Sequence, residues 1–216
     1  MNLKVDPTDL FPLLNSIEGT YEAAKIHSRE VDLILGLRVP ETESQIADQS
    51  APWFGLDPDV LQTPYTELRF MLSKLELTTG EKVVELGSGY SRMAHVMDAH
   101  FKGVAYVGVE SVQGRAKEAM RVIRERALRH AQVIEGDLFQ LPEFPAGDVY
   151  FLYDLSSRIE SSIRILECLK HQAKTRPIAV VGRGLASRQL IERDHPWLSQ
   201  VVNPAHYGNF SLYQTA

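Results

Sequence analysis

Apolar and polar positions along the chain follow two regimes that meet near residue 63. From Leu10 to Leu37 the apolar residues recur at mixed three- and four-residue spacing: Leu13, Leu14, Ile17, Tyr21, Ala24, Ile26, Val31, Ile34 and Leu35. That spacing predicts one or two amphipathic helices, closed by Gly36 and Pro40. Thr42 to Gln49 is polar and suits a short helix. Ala51-Pro52-Trp53-Phe54-Gly55 is turn-rich, and its two aromatics either anchor the segment or line an entrance. Beyond residue 63 short apolar runs alternate with helical patterns. Strands are expected at Val83–Leu86, Val104–Val109, Gln132–Phe139 with its loop, Asp148–Asp154 and Pro177–Val181. Helices are expected at Leu68–Leu75, Arg92–His100, Val112 to about Arg129, Arg158–His171 and Ala186–Asp194. Two final strands, Trp197–Val202 and Asn209–Gln214, are joined through Asn203–Gly208. Thr63 is expected to cap the helix that follows it, with Pro64 at the first helical position.

The run from Glu81 to Glu110 organises the rest. It reads strand, Gly87-Ser88-Gly89, helix, strand, acid, which is the βαβ layout of a nucleotide site. Glycines let the backbone turn sharply and approach a ligand. The helix N-terminus offers unpaired N–H groups. Glu110 ends the second strand, where a carboxylate can accept two hydrogen bonds from a ribose diol. A nicotinamide or flavin site wants GxGxxG/A, and the third small position is here Arg92. A site for S-adenosylmethionine (SAM) has no pyrophosphate to cradle and places an acid two residues before the first glycine. That acid is Glu85.

On Glu85, Gly87 and Gly89 the sequence resembles the class I, seven-strand SAM-dependent methyltransferases, whose first motif is E/D-x-G-x-G-x-G; Ser91 stands at the last glycine. The resemblance implies a Rossmann-like doubly wound α/β sheet of seven strands in the order 3-2-1-4-5-7-6, the last strand antiparallel. It spans about residues 64–216, with residues 1–63 as a helical N-terminal cap. It implies SAM as cofactor and S-adenosylhomocysteine (SAH) as product. It also implies a set of cofactor residues: Glu85, Gly87, Ser88 and Gly89, Glu110 with Ser111, and Asp137 with Leu138, the Asp137 carboxylate accepting from the adenine amino group. Gln62-Thr63-Pro64-Tyr65-Thr66-Glu67 looks like the segment that folds over the methionine part of SAM in several non-SET protein-lysine methyltransferases. It adds Thr63, Tyr65 and Glu67 to the cofactor set. Tyr153 and Asp154 end the fourth strand, from which this family presents groups to the acceptor, so the catalytic candidates are Tyr153, Asp154 and Tyr65.

Composition narrows the partners. The chain has 216 residues, 44% hydrophobic and 24% charged, enough for one substantial core plus an appendage. Its 23 basic and 28 acidic side chains give a net charge of −5, which argues mildly against broad nucleic-acid binding. The basic helix after Glu110 reads as a solvated face with local ion pairs. The single cysteine, Cys168, reads as part of a buried helix face. No apolar run approaches a membrane span, and the N-terminus lacks a signal-peptide core, so the chain reads as cytoplasmic. No metal-binding constellation is apparent. Tyr153-Asp154-Leu155-Ser156 lacks the N/D-P-P-Y/F signature of adenine or glutamine-amide acceptors. The expected function is SAM-dependent methyl transfer to a protein lysine or other amine. A small-molecule acceptor, a non-catalytic SAM-binding module and a nicotinamide-dependent oxidoreductase are the alternatives. A neutral amine could be prepared by Tyr153, Asp154, Tyr65 or Glu67. A carboxylate acceptor would need no base and would favour Arg183.

Overall fold

In the computed structural model, which describes residues 5–13, 20–46, 58–153 and 159–216, the elements run α1 (Tyr21–Leu35), α2 (Val39–Ser44), α3 (Pro58–Leu61), α4 (Tyr65–Ser73), β1 (Lys82–Leu86), α5 (Arg92–His100), β2 (Ala105–Glu110), α6 (Gln113–Glu125), β3 (Ala131–Glu135), β4 (Val149–Tyr153), α7 (Ile159–Ala173), β5 (Ala179–Arg183), α8 (Leu185–Asp194), α9 (Pro196–Ser199), β6 (Ala205–Tyr207) and β7 (Phe210–Gln214). The strands make one seven-stranded sheet in the order β3-β2-β1-β4-β5-β7-β6, as expected. Strands β1 to β5 pair in parallel, and β7 lies antiparallel between β5 and β6. The order reverses between β1 and β4, and open α/β sheets bind ligands at the carboxyl ends of strands beside such a switch point.

Alternation along the strands sorts side chains onto two faces. Val84, Leu86, Val107, Val109, Tyr150 and Leu152 pack on one side with residues of α7, α8 and α9. Val83, Tyr106, Val149 and Phe151 face the other side, under α1, α4, α5 and α6. The register sets Glu85 opposite Gly108 of β2 and Phe151 of β4, so Glu85 lies on this second face.

The N-terminal helices are tied into that second face. Thr20 caps α1 by accepting from the Ala23 N–H at 3.2 Å, and Gly36, at φ 83°, closes the helix. Val31 and Leu35 then join the core beneath the sheet. The Ser28 hydroxyl accepts from the Tyr65 N–H at 3.1 Å, so α1 caps the start of α4. Pro64 occupies the N-cap position of α4 without a side-chain cap bond, which corrects the expected role of Thr63. The Arg38 N–H reaches Glu118 at 2.7 Å, and Arg121 donates to the Gly36 carbonyl at 2.5 Å, joining the end of α1 to α6.

Other departures have local causes. Among the described residues of Leu10 to Leu37 there is one helix, α1, within the expected one or two, whereas the expected helix at Thr42–Gln49 begins earlier as α2. Trp197–Val202 is not a strand. Pro196 starts α9 there, its fixed φ suiting a first helical turn, and the His195 carbonyl accepts from the Leu198 and Ser199 N–H groups. The last hairpin is therefore Ala205–Gln214, with His206 and Tyr207 inside β6 rather than on a connection. Asp148 sits just before β4, where its carboxylate accepts from the Lys82 N–H at 2.7 Å. Cys168 is only half-buried. Trp53 and Phe54 lie outside the described residues.

Candidate cofactor site and transfer edge

A cavity of about 510 Å³ opens at the carboxyl ends of the parallel strands. Each strand end contributes: Glu85 and the glycine loop after β1, Glu110 and Ser111 at β2, Gly136 to Phe139 after β3, Tyr153 on β4, and Arg183 with Gly184 at β5. The structure thus brings together Thr63, Glu85, Gly87, Ser88, Gly89, Glu110, Ser111, Asp137, Leu138 and Tyr153 of the sequence-derived set. Asp154 lies outside the described residues.

The loop after β1 is shaped by its glycines. The Gly87 and Ser88 N–H groups both reach the Val109 carbonyl at 2.9 Å. Gly89 has φ 54°, and a Cβ there would come within 2.6 Å of the Gln62 side chain, which lies over the loop. Ser91, at the position of the family's last glycine, keeps a left-handed backbone (φ 55°, ψ 41°) as the N-cap of α5. The Glu110 carboxylate accepts from the Gly89 N–H at 2.6 Å and the Val112 N–H at 2.8 Å. Each of its oxygens retains a second lone pair. Burial raises its pKa, although these backbone bonds and nearby Arg115 favour the charged form. Asp137 accepts from the Phe139 N–H at 2.9 Å and from the Gln140 amide at 3.1 Å.

Glu85 is the most enclosed acid of the cavity. Tyr106 donates to one oxygen at 2.5 Å and Tyr153 to the other at 2.7 Å. Gly108 makes room for this arrangement, because a Cβ there would meet the Tyr106 hydroxyl and Ser88 Oγ at 2.7 Å. Burial pushes the Glu85 carboxyl up to about 7 despite the two tyrosine hydrogen bonds, and the charge on Glu110 adds to the rise.

Among the described residues three arginines line the cavity, and each is held by a carboxylate outside it. Arg92 makes a buried bidentate pair with Asp32 of α1, through Nε at 3.2 Å and through Nη2. Arg115 pairs bidentately with Glu43 of α2 at 2.7 and 2.9 Å, and Glu43 also accepts from the Tyr90 hydroxyl at 2.7 Å. Arg183 pairs bidentately with Glu67 of α4 at 2.9 and 3.0 Å, and Asn209 donates to the same carboxylate. Arg115 is buried, so the α6 basic face is not uniformly solvated. Arg92 could not serve as the small third residue of a dinucleotide loop, and its charge is directed to α1 instead.

Two of the sequence-derived residues stand behind the cavity rather than in its wall. Tyr65 is fully buried, donates to Asp32 at 2.8 Å and lies 5.4 Å beneath the Arg92 guanidinium. Glu67 meets the cavity only through Arg183. Gln62 and Arg92 also line the cavity, as do Arg115, Ser161 and Ile165, which carry no motif that names them. Tyr106 escaped notice because a tyrosine in a β-branched run reads as core.

The family model for protein-L-isoaspartate(D-aspartate) O-methyltransferase matches residues 60–140. No curated protein sequence matches the chain. Among solved structures, an RNA methyltransferase from Salinibacter ruber in complex with SAH is 19% identical, with a TM-score of 0.54 over 71% of this chain and 92% of that one. A SAM-dependent methyltransferase from Aquifex aeolicus is 14% identical, with a TM-score of 0.51 over 81% and 98%. The mitomycin 7-O-methyltransferase MmcR is 14% identical, with a TM-score of 0.54 over 90% and 66%. With an RNA methyltransferase among these neighbours, the fold does not support the exclusion of nucleic acid suggested by net charge. The described residues contain no helix long and apolar enough to cross a membrane. The strand order, the glycine loop after β1, the acid that ends β2 and the acid after β3 give this chain the fold of the class I SAM-dependent methyltransferases.

Proposed function

We propose that this protein is a SAM-dependent methyltransferase whose acceptor is an amine, a protein lysine side chain among the candidates. The observation that carries this reading is the charge balance of the cavity. Among the described residues, its three guanidinium groups are taken up by Asp32, Glu43 and Glu67, none of which lines it. Its carboxylates Glu85, Glu110 and Asp137 receive hydrogen bonds from hydroxyls and amides. Such a cavity selects for cations, and SAM carries a sulfonium and an ammonium. In this reading Glu110 and Ser111 hold the ribose, and Asp137 and Leu138 the adenine. The glycine loop with Glu85 holds the methionine end, closed by Thr63. Tyr153 faces the acceptor, and Asp154, the next residue of the chain, is a further catalytic candidate. Tyr65 and Glu67 support the site from behind through Arg92 and Arg183. Residues 1–63 form the cap and residues 64–216 the binding domain.

Methyl transfer from a sulfonium is an in-line displacement, so the protein's work is alignment and exclusion of water. A carboxylate acceptor is the competing reading, favoured by the O-methyltransferase family match. The matched residues stop at 140, before β4 and β5, so the match concerns the cofactor half. Arg183, the group a carboxylate would seek, is already bound by Glu67.

Calorimetric titration with SAM, SAH and NAD tests the cofactor. SAM and SAH are expected to bind, and Glu110→Ala to weaken both at least about tenfold through loss of a charge-assisted hydrogen-bond pair. NAD binding in their place would overturn the reading. Incubating the protein with methyl-labelled SAM and a cell extract tests the acceptor. Label that survives alkali and is recovered on a methylated amine after hydrolysis marks an N-methyl product; label released as methanol marks a carboxyl ester, and either that or alkali-stable label on an ether or carbon would overturn the amine assignment.

A further inference from the structure

The sheet order arranges the cavity as a sequence of stations: Asp137 at β3, Glu110 at β2, Glu85 and the glycine loop at β1, Tyr153 at β4 and Arg183 at β5. A ligand with its adenosine end over β3 and β2 would have its sulfur near β1, and an acceptor would approach from β4 and β5. In that pose Glu85 and Tyr153 would straddle the point of transfer. They are hydrogen-bonded to each other across neighbouring strands at 2.7 Å. Tyr106 holds the other Glu85 oxygen from the opposite strand, in space that Gly108 leaves open.

Resting on the amine reading above, we propose that Tyr153, Glu85 and Tyr106 form a proton-accepting array at the transfer point. Tyr153 is the catalytic residue that touches the acceptor nitrogen, Glu85 is the proton's destination, and Tyr106 positions Glu85. An acceptor ammonium gives one proton to Tyr153 Oη as the tyrosine hydroxyl proton passes to Glu85. The freed nitrogen lone pair attacks the SAM methyl carbon. The N–C bond forms as the C–S bond breaks, and the bonding pair stays on sulfur. The products are a methylated ammonium, neutral SAH and protonated Glu85, which returns its proton to solvent when they leave. Burial pushes the Glu85 carboxyl up to about 7, which suits a group that must both take up and release a proton. The charged or titratable groups that bear on the array are Glu110 on β2, acting on Glu85, and Arg183 on β5, acting on Tyr153.

The test needs no natural acceptor. Sinefungin is a SAM analogue in which a carbon bearing a primary amine replaces the methyl sulfonium, so its ammonium sits at the transfer point. Its affinity relative to SAH is measured by calorimetry on the wild type and on Glu85→Gln, Tyr153→Phe and Tyr106→Phe. Two buffers of different ionisation enthalpy report protons released. The wild type is expected to prefer sinefungin and to release a proton with it near neutral pH, but not with SAH. Glu85→Gln should cut the sinefungin-to-SAH ratio at least about tenfold and abolish the release. Tyr153→Phe should lower the ratio less. Tyr106→Phe should shift the release to higher pH, because its hydrogen bond favours the charged Glu85. An unchanged ratio and unchanged release in Glu85→Gln and Tyr153→Phe would overturn the array, as would parallel loss of both ligands. Should Glu85→Gln fail to fold, Tyr153→Phe decides by the same criteria. A wild type that binds neither ligand would overturn the cofactor reading itself, a result distinct from either.

Discussion

Strands β1, β2 and β4 present two faces made of alternating residues from the same short runs, and the faces differ in kind. On one, Val84, Leu86, Val107, Val109 and Leu152 meet Ile165, Leu166 and Leu169 of α7 in an apolar layer. On the other, Val83 and Phe151 share the core with buried Glu85, and the adjoining helices bury Asp32, Arg92 and His95. The first face gains stability from area removed from water. The second spends part of that gain on buried charges, whose desolvation is offset only by close partners. The difference teaches that one face holds the sheet together while the other aims polar groups at the strand ends, with α1 and α2 supplying counter-charges for Arg92 and Arg115.

The largest effect is expected on the polar face. Asp32→Ala removes a carboxylate from the buried Arg92 guanidinium and should cost about 4 kcal/mol in urea unfolding. A cost near that of an exposed ion pair, under about 1 kcal/mol, would break the comparison. On the apolar face Leu166→Ala should cost about 3 kcal/mol through lost transfer energy and a cavity. SAH affinity of the folded protein should persist in that variant, since of the α7 layer Ile165 and not Leu166 lines the cavity; losing it would mean that the packing of the apolar face also sets the site.

The pH dependence of stability sharpens the contrast. Glu85 has its pKa raised from 4.5 to about 7, so the folded state binds more protons than the unfolded chain between those values. Its contribution is fully present below pH 4.5 and is lost as pH rises through 7. His95 runs the other way. Burial holds it down to about 3 from 6.5, so its contribution is present above 6.5 and is lost as pH falls. Glu85→Gln should therefore steepen the rise of stability with pH between 4.5 and 7, by up to about 1.4 kcal/mol per pH unit. Parallel profiles for wild type and variant, followed by thermal unfolding, would show that Glu85 does not titrate in this range.

The smallest effects test how α1 is joined to α4. Ser28→Ala removes the acceptor of the Tyr65 N–H and should cost about 1 kcal/mol. Thr63→Ala, next to a helix start with no side-chain cap, should cost less than about 0.5 kcal/mol. The reverse order in chemical denaturation would restore Thr63 as the cap.

The sequence by itself determined the βα alternation, the strand order through its resemblance, and the residues at the strand ends. Val83–Leu86, Gly87-Ser88-Gly89 and Glu110 are legible because period, turn chemistry and a terminal acid are local properties of a dozen neighbouring residues. The misreading of Trp197–Val202 has the same origin, since a short apolar run suits a strand or a helix until Pro196 is weighed. Only the tertiary structure decided which charges share a partner. Asp32 and Arg92 stand 60 positions apart, Glu43 and Arg115 stand 72, and Glu67 and Arg183 stand 116. Tyr106 and Glu85 meet because β1 and β2 pair in a register that sets Gly108 beside the carboxylate. Pairings of this kind depend on where the sheet and its helices bring distant residues, and no spacing along the chain records them.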